Sequence, residues 1–351
     1  MKRRALLRAL ACAPWLLPTA RGAWAKAGDP GQSGLVTAFG RLPPPASIRR
    51  VFAAGAPASV LTAVLAPHAL LGWPWRLSAK ALGALPAPLR DLPPLGRLAG
   101  RGSTVSVETL LALKPDLILD VGTIDATYAS TAQRVAEQTG IPYALVDGRL
   151  LDSPRQLREV GGLLGVPARA EALAAYAEQT LALAARQRGA AAAGRRPGVY
   201  YARGAEGLET GLDGSINMEV VEVAGGRNVA AAAGRGGVVR VSLEQVLGWA
   251  PEVILTQDAG FAERVMSDPL WRAVPAVRAG RVLCAPAVPF GWLDVPPSVN
   301  RLIGVRWLLA HLHGVGREEL ERASAEFHRL FYSAEFPDGA DGGGSRAGRP
   351  R

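Results

Sequence analysis

From Ile48 onward, short apolar runs alternate with amphipathic stretches, a pattern that predicts repeated strand–helix units. Arg50-Val-Phe-Ala-Ala-Gly55 reads as a strand, and a helix starts near Ala58-Ser59. A Pro-rich connection follows, with Pro86, Pro88, Pro93 and Pro94. Ser106–Asp120 then reads as a short helix stopped near Pro115 and a buried strand, because proline cannot continue the helical hydrogen-bond ladder. Residues 131–139 predict a helix and Pro142–Asp147 a strand. Apolar strands that alternate with helices argue for a mainly parallel sheet covered on both faces.

Residues 153–190 break this rhythm. Ser153-Pro154 suits an N-cap followed by proline in the first turn, and Leu157, Val160, Leu163 and Leu164 keep helical spacing. Gly161, Gly162, Gly165 and Pro167 mark an interruption, after which Ala168–Arg188 is rich in strong helix formers. The stretch predicts one long, kinked helical connection that ends in the low-complexity Gly189–Gly194 run. A second series of strand–helix units begins at Pro197-Gly-Val-Tyr-Tyr-Ala202 and closes with helices at Val299–Leu312 and Arg317–Phe331. The predicted fold class is therefore α/β. Two lobes, residues 26–152 and 195–332, each hold a central, mainly parallel sheet flanked by helices, and one long helix over 153–190 joins them. Residues 337–351 are Gly-, Arg- and Asp-rich and predict a disordered tail.

An internal repeat supports two related lobes. Ser106-Val-Glu-Thr-Leu-Leu-Ala-Leu-Lys-Pro-Asp-Leu-Ile-Leu119 aligns without a gap to Ser242-Leu-Glu-Gln-Val-Leu-Gly-Trp-Ala-Pro-Glu-Val-Ile-Leu255. Each Ser can cap a helix, each Glu (Glu108, Glu244) falls in the first turn, and each Pro ends the helix before a strand. Ligands of such sheets bind outside the carboxyl ends of the strands, and in a two-lobed molecule those ends can face each other across a cleft.

The first 25 residues read as an export signal. Met1-Lys-Arg-Arg4 precedes an apolar run from Ala9 to Leu17, and Ala23-Trp-Ala25 offers small residues for cleavage before Lys26. Arg3-Arg4 also resembles a twin-arginine signal, so either the Sec or the Tat route fits, and the expected location is the periplasm. This leader changes the reading of charge. The 351-residue chain has a formal charge of +10, but Lys2, Arg3, Arg4, Arg8 and Arg21 account for half of it, with no acid among the first 25 residues. The rest is too dilute for a nucleic-acid footprint. With 49% hydrophobic and 20% charged residues, the composition is that of a folded domain.

Several chemistries lack their signatures. Cys12 and Cys284 are the only cysteines and form no CxxC pair; His68, His311, His313 and His328 form no HExxH. There is no GxxxxGK[ST], GxGxxG or GxSxG motif. An ATPase, a Rossmann dehydrogenase and an α/β-hydrolase therefore lose their usual signatures, and an exported metal-cofactor enzyme, the remote alternative, lacks the clustered Cys or His it needs.

The ordered blocks Val51-Phe-Ala-Ala-Gly-Ala-Pro57, Glu108–Ile118, Gly214-Ser-Ile-Asn-Met-Glu219 through Val229, Ser242–Leu247, Asp268-Pro-Leu-Trp271 with Ala276–Val282, and Pro289-Phe-Gly-Trp-Leu-Asp294 through Gly304 resemble the periplasmic substrate-binding proteins of ABC importers for iron–siderophore complexes and cobalamin. The resemblance covers residues 48–332 and implies a class III periplasmic-binding-protein-like fold. It implies capture of a metal chelate, first of all a ferric siderophore, and delivery to an ABC transporter permease. Cobalamin, haem, a nickel chelate or a molybdate or tungstate oxyanion are the alternatives. It also implies a binding protein with no enzymatic activity, no cofactor and no resident metal, a monomer that meets the membrane only through its permease. Glu108 and Glu244 match the family's permease-docking acids.

Ligand contacts are expected from the loops after the strands: Ser59, Trp73, Trp75, Arg76, Arg97 and Thr123 in the first lobe, and Tyr201, Arg203, Asn217, Gln257, Asp258, Phe290 and Trp292 in the second. Arg76, Arg97 and Arg203 suit an anionic group, and Trp73, Trp75, Tyr201, Phe290 and Trp292 suit the flat walls of a large chelate. A small oxyanion instead needs donors converging on one point, whereas a siderophore or corrinoid needs a broad aromatic trough. Arg301 is expected to pair with Asp294.

Overall fold

The computed structural model describes residues 34–99, 102–191, 196–314 and 316–332. The proposed leader and tail lie outside the described residues. The described fold belongs to the unit Gly34–Arg351.

The first half contains β1 (Val36–Phe39), β2 (Val51–Ala53), β3 (Leu117–Gly122) and β4 (Tyr143–Asp147). Its helices are α1 (Ala56–Leu65), α2 (Ala79–Gly83), α3 (Ala87–Arg90), α4 (Val107–Leu113) and α5 (Ala126–Thr139). The strands form one sheet in the order β1-β4-β3-β2. Only β1 runs antiparallel to its neighbour. Next come α6 (Ser153–Leu163) and α7 (Pro167–Ala191). The second half contains β5 (Gly198–Tyr201), β6 (Glu209–Gly211), β7 (Arg227–Asn228), β8 (Val238–Arg240), β9 (Val253–Thr256) and β10 (Val282–Cys284). Its helices are α8 (Glu219–Val223), α9 (Leu243–Trp249), α10 (Ala259–Val265), α11 (Pro275–Arg278), α12 (Arg301–His313) and α13 (Arg317–Tyr332). Here β10-β9-β5-β7 form an all-parallel sheet, and β6 and β8 a separate antiparallel ribbon.

The repeated motif folds the same way twice. Ser106 Oγ accepts the Thr109 N–H at 3.1 Å and Ser242 Oγ accepts the Gln245 N–H at 3.3 Å. The Gln245 side chain closes a capping box on Ser242 N at 2.9 Å. Both helices end on a non-glycine residue in the left-handed region, Lys114 at φ 45° and Ala250 at φ 47°. Each precedes a proline, whose ring bars right-handed helical geometry at that position. β3 and β9 then run into the core as almost wholly buried strands.

The expected single connecting helix is two helices. Gly165, at φ +73°, ends α6, and Pro167 starts α7. α6 folds back along α7; a Cβ on Gly161 would fall 2.1 Å from the Ala170 Cβ, so only glycine permits this approach. Arg158 on α6 reaches Glu171 and Glu178 on α7 at 2.7 and 2.6 Å. Of these two helices, α7 is the one that leads into the second half; its 25 residues run about 37 Å.

α7 is not the sole link. Arg169 on α7 donates to Val64 O of α1 at 2.5 Å and to Leu330 O and Phe331 O of α13. Tyr176 packs on Phe327 and Phe331. A continuous apolar core therefore joins the two sheets through α7, α12 and α13. Among the described residues, no helix is long and apolar enough to cross a membrane.

Candidate functional site

The carboxyl ends of β3 and β4 and the Gly214–Ile216 loop enclose a cavity of about 420 Å³. Thr123, Asp147 and Arg149 line it from the first half, and Arg188, Glu219 and Glu222 from α7 and α8. Burial raises the Glu222 pKa, and Asp213 and Glu219 add to the rise.

Glu219 belongs to a buried strut. It accepts Arg301 NH1 at 2.5 Å and the Leu150 N–H at 2.9 Å. Arg301 NH2 donates to Gly148 O at 2.5 Å, and its Nε to Ser298 O at 3.2 Å. The loop after β4 is thus pinned to α8 and α12. The expected Arg301–Asp294 pair does not form, because Glu219 lies on the neighbouring helix with its carboxylate against Arg301.

Asp294 instead gathers four other predicted residues. Its Oδ1 accepts the Tyr201 hydroxyl and Gln257 Nε2, the latter at 3.2 Å. Its Oδ2 accepts Asn217 Nδ2 at 2.5 Å and pairs with Arg203 NH2 at 2.9 Å. Burial pushes the Asp294 carboxyl up, against the pull of Arg203, Tyr201 and Asn217. Burial disfavours the Arg203 charge, but Asp294 and Tyr201 outweigh it and its pKa rises. Among the described residues the buried Arg203 Nε has no hydrogen-bond partner. The Gly214–Asn217 loop joins this cluster to the cavity, since Ile216 lines the cavity and Asn217 bonds Asp294.

The other expected contacts scatter. Thr123 is the one that lines the cavity. Four of the five aromatics are core residues: Trp73, Tyr201, Phe290 and Trp292 are each no more than 3% exposed. Trp73 donates from Nε1 to Leu89 O at 2.9 Å, and its ring lies 5.5 Å from Phe290. Trp292 lies 6.1 Å from the His328 ring. The loops carrying these rings fold under the surface, because large apolar rings gain most by leaving water. Ser59 is buried in α1 and donates to Ala56 O, and Asp258 caps α10 by accepting the Phe261 N–H at 2.7 Å. Arg97 turns back on its own loop, to Gly102 O at 3.1 Å. Trp75 is half-buried and Arg76 exposed.

Sequence reasoning missed Arg149, Arg188 and the role of Asp294. Arg149 was within reach, since Gly148-Arg149 directly follows the predicted strand Pro142–Asp147. Arg188, near the end of α7, carries no local signal.

Glu108 and Glu244 are exposed in the first turns of α4 and α9. Hydrogen bonds lower both pKa values, from its own backbone N–H and Ser106 at Glu108, and from Ser242 and its own backbone N–H at Glu244. No group of three or more His, Cys, Asp or Glu that could hold a metal ion occurs among the described residues.

The chain is 26% identical over 276 residues to the molybdate-binding protein MolA of Haemophilus influenzae, covering 72% of this chain and 78% of that protein. It superposes on an ABC transporter solute binding protein from Sulfurospirillum deleyianum with a TM-score of 0.75 at 28% identity, over 83% of this chain and 92% of the other. Molybdate-bound MolA gives a TM-score of 0.67 at 23% identity, over 84% and 95% of the two chains, which speaks for the fold. Residues 91–289 match the family model described as periplasmic binding protein. The chain belongs to the periplasmic binding protein family.

Proposed function

We propose that this chain is the exported, periplasmic binding component of an ABC importer, and that its ligand is a small oxyanion of the molybdate class. The observation that carries the reading is the burial of Trp73, Tyr201, Phe290 and Trp292. A wide chelate needs a broad aromatic wall, and these rings are spent on the core. Among the carboxylates Asp147, Glu219 and Glu222, the cavity offers donors from Thr123, Arg149 and Arg188, and Arg203 belongs to the Asp294 cluster that the Gly214–Asn217 loop joins to it. Charge-assisted hydrogen bonds from arginine suit a compact anion. The cavity of about 420 Å³ is at the small end for ligand sites. The curated relative MolA is named for molybdate.

In this reading Glu108 and Glu244 are the docking acids. Their matched helices present one exposed carboxylate on each half, fit for a two-point contact with arginines of a permease.

A thermal-shift panel tests the ligand. Molybdate and tungstate should raise the melting temperature by mass action, while ferric siderophores, haem, cobalamin and nickel chelates should not. A rise confined to one of the chelates overturns the oxyanion reading. For docking, Glu108→Arg and Glu244→Arg should abolish uptake in cells and leave ligand affinity unchanged; a loss of affinity refutes the assignment.

A further inference from the structure

Resting on the oxyanion reading, we infer that Asp294 is a positioning residue: it never touches the ligand, and it holds the Arg203 guanidinium so that the remaining donors serve the anion. An ionised carboxylate has about four lone-pair sites. Asp294 fills them with Tyr201, Gln257, Asn217 and Arg203. Its side chain is fully buried. It has neither the exposure nor the capacity to meet a ligand.

Arg203 is in the opposite condition. One terminal nitrogen binds Asp294, the side chain is 16% exposed, and the buried Nε–H meets no acceptor among the described residues. A buried N–H left unmatched is costly, and an anion supplies the acceptor. The position of this donor is set from several sides. Tyr201 ends β5 and Arg203 follows it, Asn217 precedes α8, and Gln257 follows β9. Gln257 Oε1 also accepts the Leu293 N–H at 3.0 Å, which fixes the loop beneath the acid. Asp294 is the common partner that ties these segments to one guanidinium. A free arginine side chain samples many rotamers, and one held by a rigid acid loses little freedom when the anion arrives.

The test is a double-mutant cycle read by titration calorimetry with molybdate and tungstate. Asp294→Asn should weaken binding about 10-fold or more, as expected for a charge-assisted hydrogen bond lost. Arg203→Ala should weaken it at least as much, and the double variant no further than Arg203→Ala alone. Binding within about twofold of wild type in Asp294→Asn, or losses that multiply in the double variant, overturns the inference. If the wild-type protein binds neither oxyanion, the ligand reading fails and takes this role with it. Wild-type binding that Asp294→Asn leaves intact removes the positioning role alone. Should Asp294→Asn not fold, Tyr201→Phe replaces it. Its hydroxyl is buried against the carboxylate, so its loss should reduce affinity when Arg203 is present and change nothing when Arg203 is alanine; equal losses in both backgrounds refute the claim. A ligand-free readout is proton exchange at Arg203 Nε, expected to be slow in the wild type and faster in Asp294→Asn and in Tyr201→Phe. Unchanged exchange overturns the proposal.

Discussion

Among the described residues, two arginine–carboxylate pairs, Arg301–Glu219 and Arg203–Asp294, are largely buried, and they are built in opposite senses. In Arg301–Glu219 every nitrogen of the cation has a protein partner: NH1 goes to Glu219, NH2 to Gly148 O and Nε to Ser298 O. In Arg203–Asp294 the anion is spent, while the cation keeps a buried Nε without an acceptor among the described residues. A pair with a saturated cation is a strut, here between the loop after β4 and the helices of the second half. A pair with a saturated anion leaves its cation a donor to spare, as the proposed mount requires. Burial and charge alone do not tell the two apart; the hydrogen-bond inventory does.

The strut should be the more expensive to break. Arg301→Met leaves Glu219 buried without its counter-charge, and should cost about 3–5 kcal/mol by urea denaturation. Pairing it with Glu219→Leu should recover much of that loss, since a matched apolar replacement removes the unpaired charge. If the single variant costs less than about 1 kcal/mol, Arg301 is not a strut.

Removing the other cation should cost less and show a different pH dependence. Arg203→Ala leaves Asp294 with its neutral donors, and should cost about 1–3 kcal/mol near neutrality. Burial already raises the Asp294 pKa, and loss of Arg203 raises it further. A carboxyl raised in the folded state binds its proton more tightly there, so its contribution is complete below the unfolded pKa of 3.8 and fades as pH climbs through the folded value. The deficit of Arg203→Ala against wild type should therefore be smallest near pH 4 and grow toward pH 8 in thermal melts. A deficit independent of pH contradicts the assignment.

The smallest expected effects concern the repeated helices. Ser106→Ala and Ser242→Ala each remove an N-cap and should cost about 1 kcal/mol. Ser242→Ala should cost slightly more, because it also undoes the capping box. Ligand affinity should stay at the wild-type value in both. An affinity change in either one contradicts the docking role proposed for these helices.

Much of the fold was legible because its signals are local. The Ser–Glu–Pro repeat acts within a single helical turn or across one chain reversal, so α4 and α9 could be read from the chain. The single connecting helix could not. Whether a Gly-Pro interruption kinks a helix or reverses it depends on what lies alongside, and here Ala170 packs onto Gly161. At the site, the sequence marks Tyr201, Arg203, Asn217 and Gln257 as residues at or near strand ends, but each as a separate ligand contact. Their common bond to Asp294 crosses about 40 to 90 residues of chain. The aromatics misled for a related reason. Trp73-Pro-Trp75 reads as an exposed loop, yet Trp73 finds Leu89 O and Phe290 beneath the surface.

By itself the sequence determined the α/β class, two related halves, the exposed acids on matched helices and the family. These follow from periodicity, capping and proline placement, which act over a few residues. Tertiary structure alone decided which arginine meets which carboxylate, which aromatic rings leave the surface and which donors stay near the strand ends. Those outcomes depend on distances between segments far apart in the chain, where burial and hydrogen-bond satisfaction set the choice and no neighbouring residue announces it.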